Sequence, residues 1–313
     1  MEPDVTSRQS HQRHALPLPG TDMIRASLVP SVWALLALVG LTVWCYWPTL
    51  GSLLKEWQHN NDYSAGQLVP PVALFLVWRD RKTLGACMLR PCWWGGIVLL
   101  LLAQTARFYG LLFMFESADR YSLVLTIAGL VLLVAGWQVV RRVSWILLFL
   151  LLMIPLPGRL HNLVSGPLQS IATSGAVFLM EVFLPQVSQQ GNVVVLNENT
   201  RIAVVEACSG LRMLTAFIIV AAFIAYMVRR PRAQKGVLLL SSIPVAVACN
   251  VIRILATAVL MLVVSADVAQ KFFHDFAGFI MMPAAVLLIF GELWLMDKLI
   301  VPEPQGQRER AGR

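Results

Sequence analysis

A thiol, a guanidinium and an imidazole stand in apolar surroundings at Cys208, Arg253 and His274, and these three groups can carry out acyl transfer. Cys208 lies in Glu206-Ala-Cys-Ser-Gly-Leu-Arg-Met-Leu214, where Ser209 and Gly210 suit a turn that opens a helix. A thiol at such a place sits near unpaired N–H groups and the positive end of the helix dipole, which favours thiolate. The competing reading is a small buried hydrophobe, the ordinary fate of a free cysteine. Arg212, four residues on, would share a face with Cys208 in a continuous helix, ready to steady a thiolate or a substrate carbonyl. A snorkelling cation at the membrane boundary is its plainer role.

Arg253 falls inside the apolar run from Val237 to Val264, where a central arginine costs about 2.5–3.5 kcal/mol to insert. At about 1.5 Å per residue it stands about 24 Å beyond Val237, toward the far side of that span. Asn250 precedes it by three residues and shares its face, and Pro244 is a candidate kink below them. A merely structural arginine would need a carboxylate partner. His274, in Lys271-Phe-Phe-His-Asp-Phe-Ala-Gly278, is expected at the same side, where an imidazole exchanges protons near neutral pH. The set supplies a nucleophile, a proton shuttle and a preorganised cation for an oxyanion. No HExxH, GxSxG, P-loop or paired-aspartate signature accompanies it, so metalloprotease, serine hydrolase and nucleotide-driven readings lack support.

The elements that must position these residues are membrane helices. Of 313 residues, 58% are hydrophobic and only 13% charged, and the mean hydropathy is +0.69, which excludes an ordinary soluble fold. The net charge of +8 comes from short basic clusters flanking apolar runs, as in membrane proteins and unlike nucleic-acid binders. The pattern predicts an all-α polytopic protein with about eight transmembrane helices, near 29–47, 66–78, 93–110, 121–138, 143–157, 209–228, 236–264 and 276–297. Clusters at Arg79, Arg81, Lys82 and Arg90, at Arg141 and Arg142, at Arg229, Arg230, Arg232 and Lys235, and at Arg308, Arg310 and Arg313 are read as cytoplasmic loops.

With that orientation, segment 158–184 is expected to stay on the outer face as a surface or re-entrant amphipathic helix, since a crossing would carry the Arg229 cluster outside. It leads to a hairpin-like stretch, Gly191–Glu206, with valines flanking Asn-Glu-Asn-Thr. Residues 1–28 are expected to be a disordered cytoplasmic tail without the features of a cleaved signal, 29–298 the membrane domain, and 299–313 a basic cytoplasmic tail. Cys45, Cys87, Cys92, Cys208 and Cys249 form no even framework and no metal spacing, so neither a metal nor another cofactor is expected.

Ala207-Cys-Ser-Gly-Leu-Arg212, Asn250-Val-Ile-Arg253 and His274-Asp-Phe-Ala-Gly278 together resemble, in order and spacing, the three signature segments of the exosortase/archaeosortase family. Asp62-Tyr-Ser-Ala-Gly66 with Leu68-Val-Pro70 is similar to that family's early motif, departing from it at Ala65, where histidine is expected. Histidine as the third member favours the bacterial exosortase branch. The resemblance implies a multi-pass transpeptidase of the bacterial inner membrane, with both termini cytoplasmic and the site on the periplasmic side. Its substrates would be membrane-anchored proteins ending in a Pro-Glu-Pro motif, a transmembrane helix and a basic tail, often in bacteria that make exopolysaccharide. Cys208 would attack the scissile carbonyl, Arg253 hold the oxyanion and His274 move the proton, with Arg212, Asn250, Ser209, Gly210 and Glu206 in support; water or an amine acceptor would resolve the thioester.

Two other classes compete. In a transporter or channel, Arg253 and Asn250 would line a polar path, but no inverted repeat is visible and Cys208 would be dispensable. A membrane acyltransferase would use Cys208 for lipid thioester chemistry, but the cysteine-rich zinc scaffold of palmitoyl-transferring enzymes is missing.

Overall fold

The computed structural model describes residues 37–182, 187–196, 200–203, 210–264, 283–284, 286–296 and 298. The terminal tails and parts of the first and last predicted spans lie outside them. The chain divides into two compact units, Met1–Leu50 and Gly51–Arg313. In the first, helix α1 (Ala37–Cys45) breaks at Tyr46 and α2 (Trp47–His59) begins. The second continues with a 3-10 helix (Asn61–Leu68), α3 (Val69–Arg79), α4 (Arg81–Gly85), α5 (Trp93–Leu112), α6 (Glu116–Val134), α7 (Trp137–Leu150) and α8 (Gly158–Glu181). A small sheet, then α9 (Leu211–Met227), α10 (Arg232–Val263) and α11 (Val286–Met296) complete it.

The architecture is all-α, with α5, α6, α8 and α10 long and apolar enough to cross a bilayer, and a fifth candidate if α1 and α2 form one broken span. Helix α3 has 11 residues, about 16 Å of rise, against the ~30 Å of a hydrocarbon core. Two charge clusters differ from the expected loops. Arg141 and Arg142 lie in the second turn of α7, which opens at Trp137 after the kinked Gly136, and Arg232 and Lys235 belong to the first turn of α10.

Helices α5 and α6 make the closest pair. A Cβ on Gly96 would fall 2.7 Å from the Leu133 backbone, and one on Gly110 2.7 Å from the Asp119 amide, so small residues let the backbones meet. Outside that seam α5 presents Val98, Leu101, Leu102 and Phe108 outward, as a lipid-facing helix does. The main core gathers on α9, where Leu211, Met213, Phe217, Ala221 and Ala225 are buried with Tyr63, Leu238 and Ile289.

Segment 158–184 forms one 24-residue helix that continues through Pro167. Its first turns carry His161 to the hydroxyl of Tyr63, while Ala172, Ala176, Val177 and Met180 pack on Ile254 and Ala258 of α10. The expected hairpin is the pair β2 (Val193–Leu196) and β3 (Thr200–Ala203), in antiparallel register from Val193↔Ala203 to Leu196↔Thr200. A third strand, β1 (Val187–Gln190), joins it in the order β1-β2-β3. Its polar sequence hides it, yet the two-residue connection Gly191-Asn192, with Gly191 at φ +62°, is the turn a tight hairpin requires. Buried Val194 seats the sheet against α8 and α10.

Candidate active site

Helix α9 starts at Leu211, and Gly210 before it is held at φ +82°, ψ −5°, a left-handed conformation suited to glycine. The Gly210 carbonyl accepts the first helical hydrogen bond from the Leu214 amide at 2.9 Å. Helix therefore opens immediately after Gly210, at Leu211. The proposed sharing of a helical face by residues 208 and 212 does not follow, because regular helix begins only at Leu211 and the left-handed Gly210 interrupts it. Cys208, Ser209, Glu206 and His274 lie outside the described residues.

A second feature fixes Gly210. The Asn250 amide nitrogen of α10 would lie 2.7 Å from a Cβ placed on Gly210, and its Cγ 3.1 Å, so the Asn250 side chain packs directly on the Gly210 backbone at the head of α9. Asn250 is 1% exposed. Arg253, one turn further along α10, is also buried, and its carbonyl accepts a hydrogen bond from Thr257 Oγ1 at 2.8 Å. A guanidinium buried in an apolar helix is the costly arrangement that argued for function. Arg212 is half-buried in the first turn of α9, and its carbonyl, at 3.0 Å, is one of two acceptors that share the single hydroxyl hydrogen of Thr215.

The other bond from Thr215 runs to the carbonyl of Asp62, at 2.8 Å, and ties the early motif to the start of α9. The 3-10 helix is capped by Asn60, whose side chain accepts from the Asp62 amide. Ala65, the departure from the early motif, is buried, and Gly66 abuts the indole of Trp57, which donates to the Met153 carbonyl at 2.9 Å. Tyr63 Oη lies 2.9 Å from His161 Nδ1. Burial, with lesser contributions from Asp62 and Glu56, pushes the Tyr63 phenol up to about 12 against an opposing backbone bond at Leu156, so it stays protonated and can donate to the imidazole. At the opposite end of α9, Tyr226 donates to Asp80 at 2.5 Å, next to the basic residues Arg79, Arg81 and Lys82.

Sequence reasoning missed the polar cleft of about 730 Å³ beside the 3-10 helix, lined by residues that include Lys55, Glu56, Asp62, Glu116, Arg120 and His161. Arg120 of α6 is 93% buried in its side chain, since only 7% remains exposed, and its Nη2 meets Glu116 at 2.5 Å and Glu56 at 3.6 Å. The signal was available: Glu116 and Arg120 form an i,i+4 pair at the head of an apolar run.

The model of the transmembrane exosortase family matches residues 57–291, well over half the chain. The chain belongs to the exosortase family. The matched region begins at the Trp57 that packs on the early motif and includes all three signature segments, Arg120 and His161. No curated protein and no solved structure matches this exosortase-family chain. Among the described residues no group of histidine, cysteine or carboxylate side chains is arranged to hold a metal.

Proposed function

We propose that this chain is a membrane-embedded cysteine peptidase or transpeptidase that removes the C-terminal sorting signal of exported, membrane-anchored proteins. The thiolate of Cys208 attacks the scissile carbonyl, and Arg253 stabilises the oxyanion of the tetrahedral intermediate. Collapse breaks the C–N bond, leaves a thioester on Cys208 and expels an amine that His274 protonates. His274 then takes a proton from water or from an acceptor amine as it attacks the thioester, and Cys208 is regenerated. Asn250, Arg212, Glu206, Ser209 and Gly210 act by positioning these groups. The substrates carry a Pro-Glu-Pro motif, a transmembrane helix and a basic tail that remains in the cytoplasm.

The single observation that carries the reading is the contact of Asn250 with Gly210. It keeps the turn of α10 that bears Arg253 against the chain two peptide units from Cys208. The contacts of α8 support a site on the periplasmic side: its start reaches Tyr63, whose neighbour Asp62 is tied to Thr215 near the head of α9, and its end reaches the last third of α10. Both contacts lie toward the end of the bundle where α9 opens, in keeping with the outer-surface position that the charge bias favours for this segment.

Co-expression with a substrate bearing such a tail tests the mechanism. Cys208→Ala should abolish processing and Cys208→Ser leave at most a trace, while His274→Ala should slow it by about 10²–10⁴-fold. A hydroxylamine-sensitive thioester should build up on Cys208 in His274→Ala. Normal processing by Cys208→Ala, or an adduct on Cys45, Cys87, Cys92 or Cys249, would rule the mechanism out.

A further inference from the structure

The cleft beside the 3-10 helix holds a charge arrangement that the chemistry above does not use. The Arg120 guanidinium is almost wholly buried, and both of its carboxylate contacts converge on Nη2. Its Nε, buried as well, has no hydrogen-bond partner among the described residues. An arginine recognises a carboxylate best through two parallel N–H bonds, so this fork is half-occupied. The two carboxylates differ in how firmly they are held. Glu56 is 29% exposed and receives a further bond from Asn60 Nδ2 at 2.9 Å, whereas Glu116 is 71% exposed and sits at the first residue of α6.

We propose that this cleft receives the acidic side chain of the peptide to be processed, with Arg120 as its anchor and Glu116 as a resident carboxylate that the ligand displaces. The exchange swaps one carboxylate for another on the same guanidinium, and the released Glu116 turns into water, so the buried charge stays balanced. His161, whose Nδ1 lies 2.9 Å from the Tyr63 hydroxyl, adds an imidazole to the cleft wall. Lys55 lines the same cleft. A cationic ligand fits less well, because Glu116, the most exposed carboxylate of the Arg120 network, already has that cation. The cleft also lies at the right end of the molecule, since Asp62 in its wall is bonded through its carbonyl to Thr215, in the first turns of α9.

The proposal rests on the sorting-signal reading above and is tested apart from the chemistry. Full-length Cys208→Ala in lipid nanodiscs would be titrated with a fluorescent tail containing Pro-Glu-Pro, the transmembrane helix and the basic segment, and with its Pro-Gln-Pro counterpart. The glutamine tail should bind about tenfold more weakly, and adding Arg120→Gln should weaken the glutamate tail by about as much. Adding Glu116→Gln should tighten the glutamate tail, a change in the opposite direction that a structural role for the ion pair does not give. Equal binding of the two tails, or weaker binding of the glutamate tail after Glu116→Gln, overturns the proposal while leaving the sorting-signal reading intact. Binding of neither tail removes that reading too. Should Arg120→Gln fail to fold, the comparison of tails and the Glu116→Gln variant decide alone.

Discussion

Replacing Gly210 by alanine separates the two physical reasons for glycine at the head of α9. The first is conformational: at φ +82° a Cβ crowds the following carbonyl and costs about 1–2 kcal/mol. The second is steric, because that Cβ would lie 2.7 Å from Asn250 Nδ2 and 3.1 Å from its Cγ, and Asn250 is too buried to swing away freely. Forcing its side chain off a rotamer adds about 0.5–1.5 kcal/mol. Gly191 provides the control, with φ +62° and nothing within 4 Å of an added Cβ, so Gly191→Ala should show the conformational part alone. In reversible unfolding in mixed micelles, Gly210→Ala should therefore be the more destabilising by about 1 kcal/mol. In an Asn250→Ala background that excess should vanish, since the two clashing atoms are gone. Substrate processing should fall further than stability, because a displacement near 1 Å at the following or preceding chain can cost about 10²-fold in rate. If Gly210→Ala and Gly191→Ala are equally destabilising, or Asn250→Ala gives no relief, the close approach of α9 and α10 is wrong.

Three other expectations follow from the same geometry. Arg253→Lys should lose processing by tenfold or more while Arg212→Lys is milder, because an ammonium lacks the planar fork and gives up its proton more readily in apolar surroundings; equal rates for the two would exclude the oxyanion role of Arg253. In a background lacking Cys45, Cys87, Cys92 and Cys249, Ser188→Cys should react with an impermeant thiol reagent added outside and Arg229→Cys should not; the reverse pattern would turn the site to the cytoplasm. The raised phenol of Tyr63 means that the folded state holds this proton more tightly than the unfolded chain, whose value is near 10.0. Its contribution is thus complete below pH 10 and lost as pH rises toward about 12, so Tyr63→Phe should flatten the alkaline limb of the stability curve; identical limbs for parent and variant would remove that account.

The amino-acid sequence was enough for the membrane class, because hydropathy and the scarcity of charge are properties of composition and apply whatever the packing. It also determined the helix opening after Cys208 and the β2–β3 hairpin, since Ser209-Gly210 and the valines around Asn-Glu-Asn-Thr are local signals that act within a few residues. The family followed from three short segments in order. Local signals reach no further than a turn or two, and the rest depended on contacts between distant residues. That Gly210 is forced by Asn250, 40 positions away, is visible only when α9 and α10 are packed. The bond from Thr215 to the Asp62 carbonyl likewise decides where the early motif sits, and no periodicity encodes it. Arg141 and Arg142 read as a loop because charge marks a membrane boundary without saying whether the backbone there is helical. Arg120 is the sharpest case: its sequence neighbour Glu116 announces an ordinary surface pair, and only the tertiary structure shows the guanidinium buried, with Glu56 of α2 beside it in the wall of a cleft.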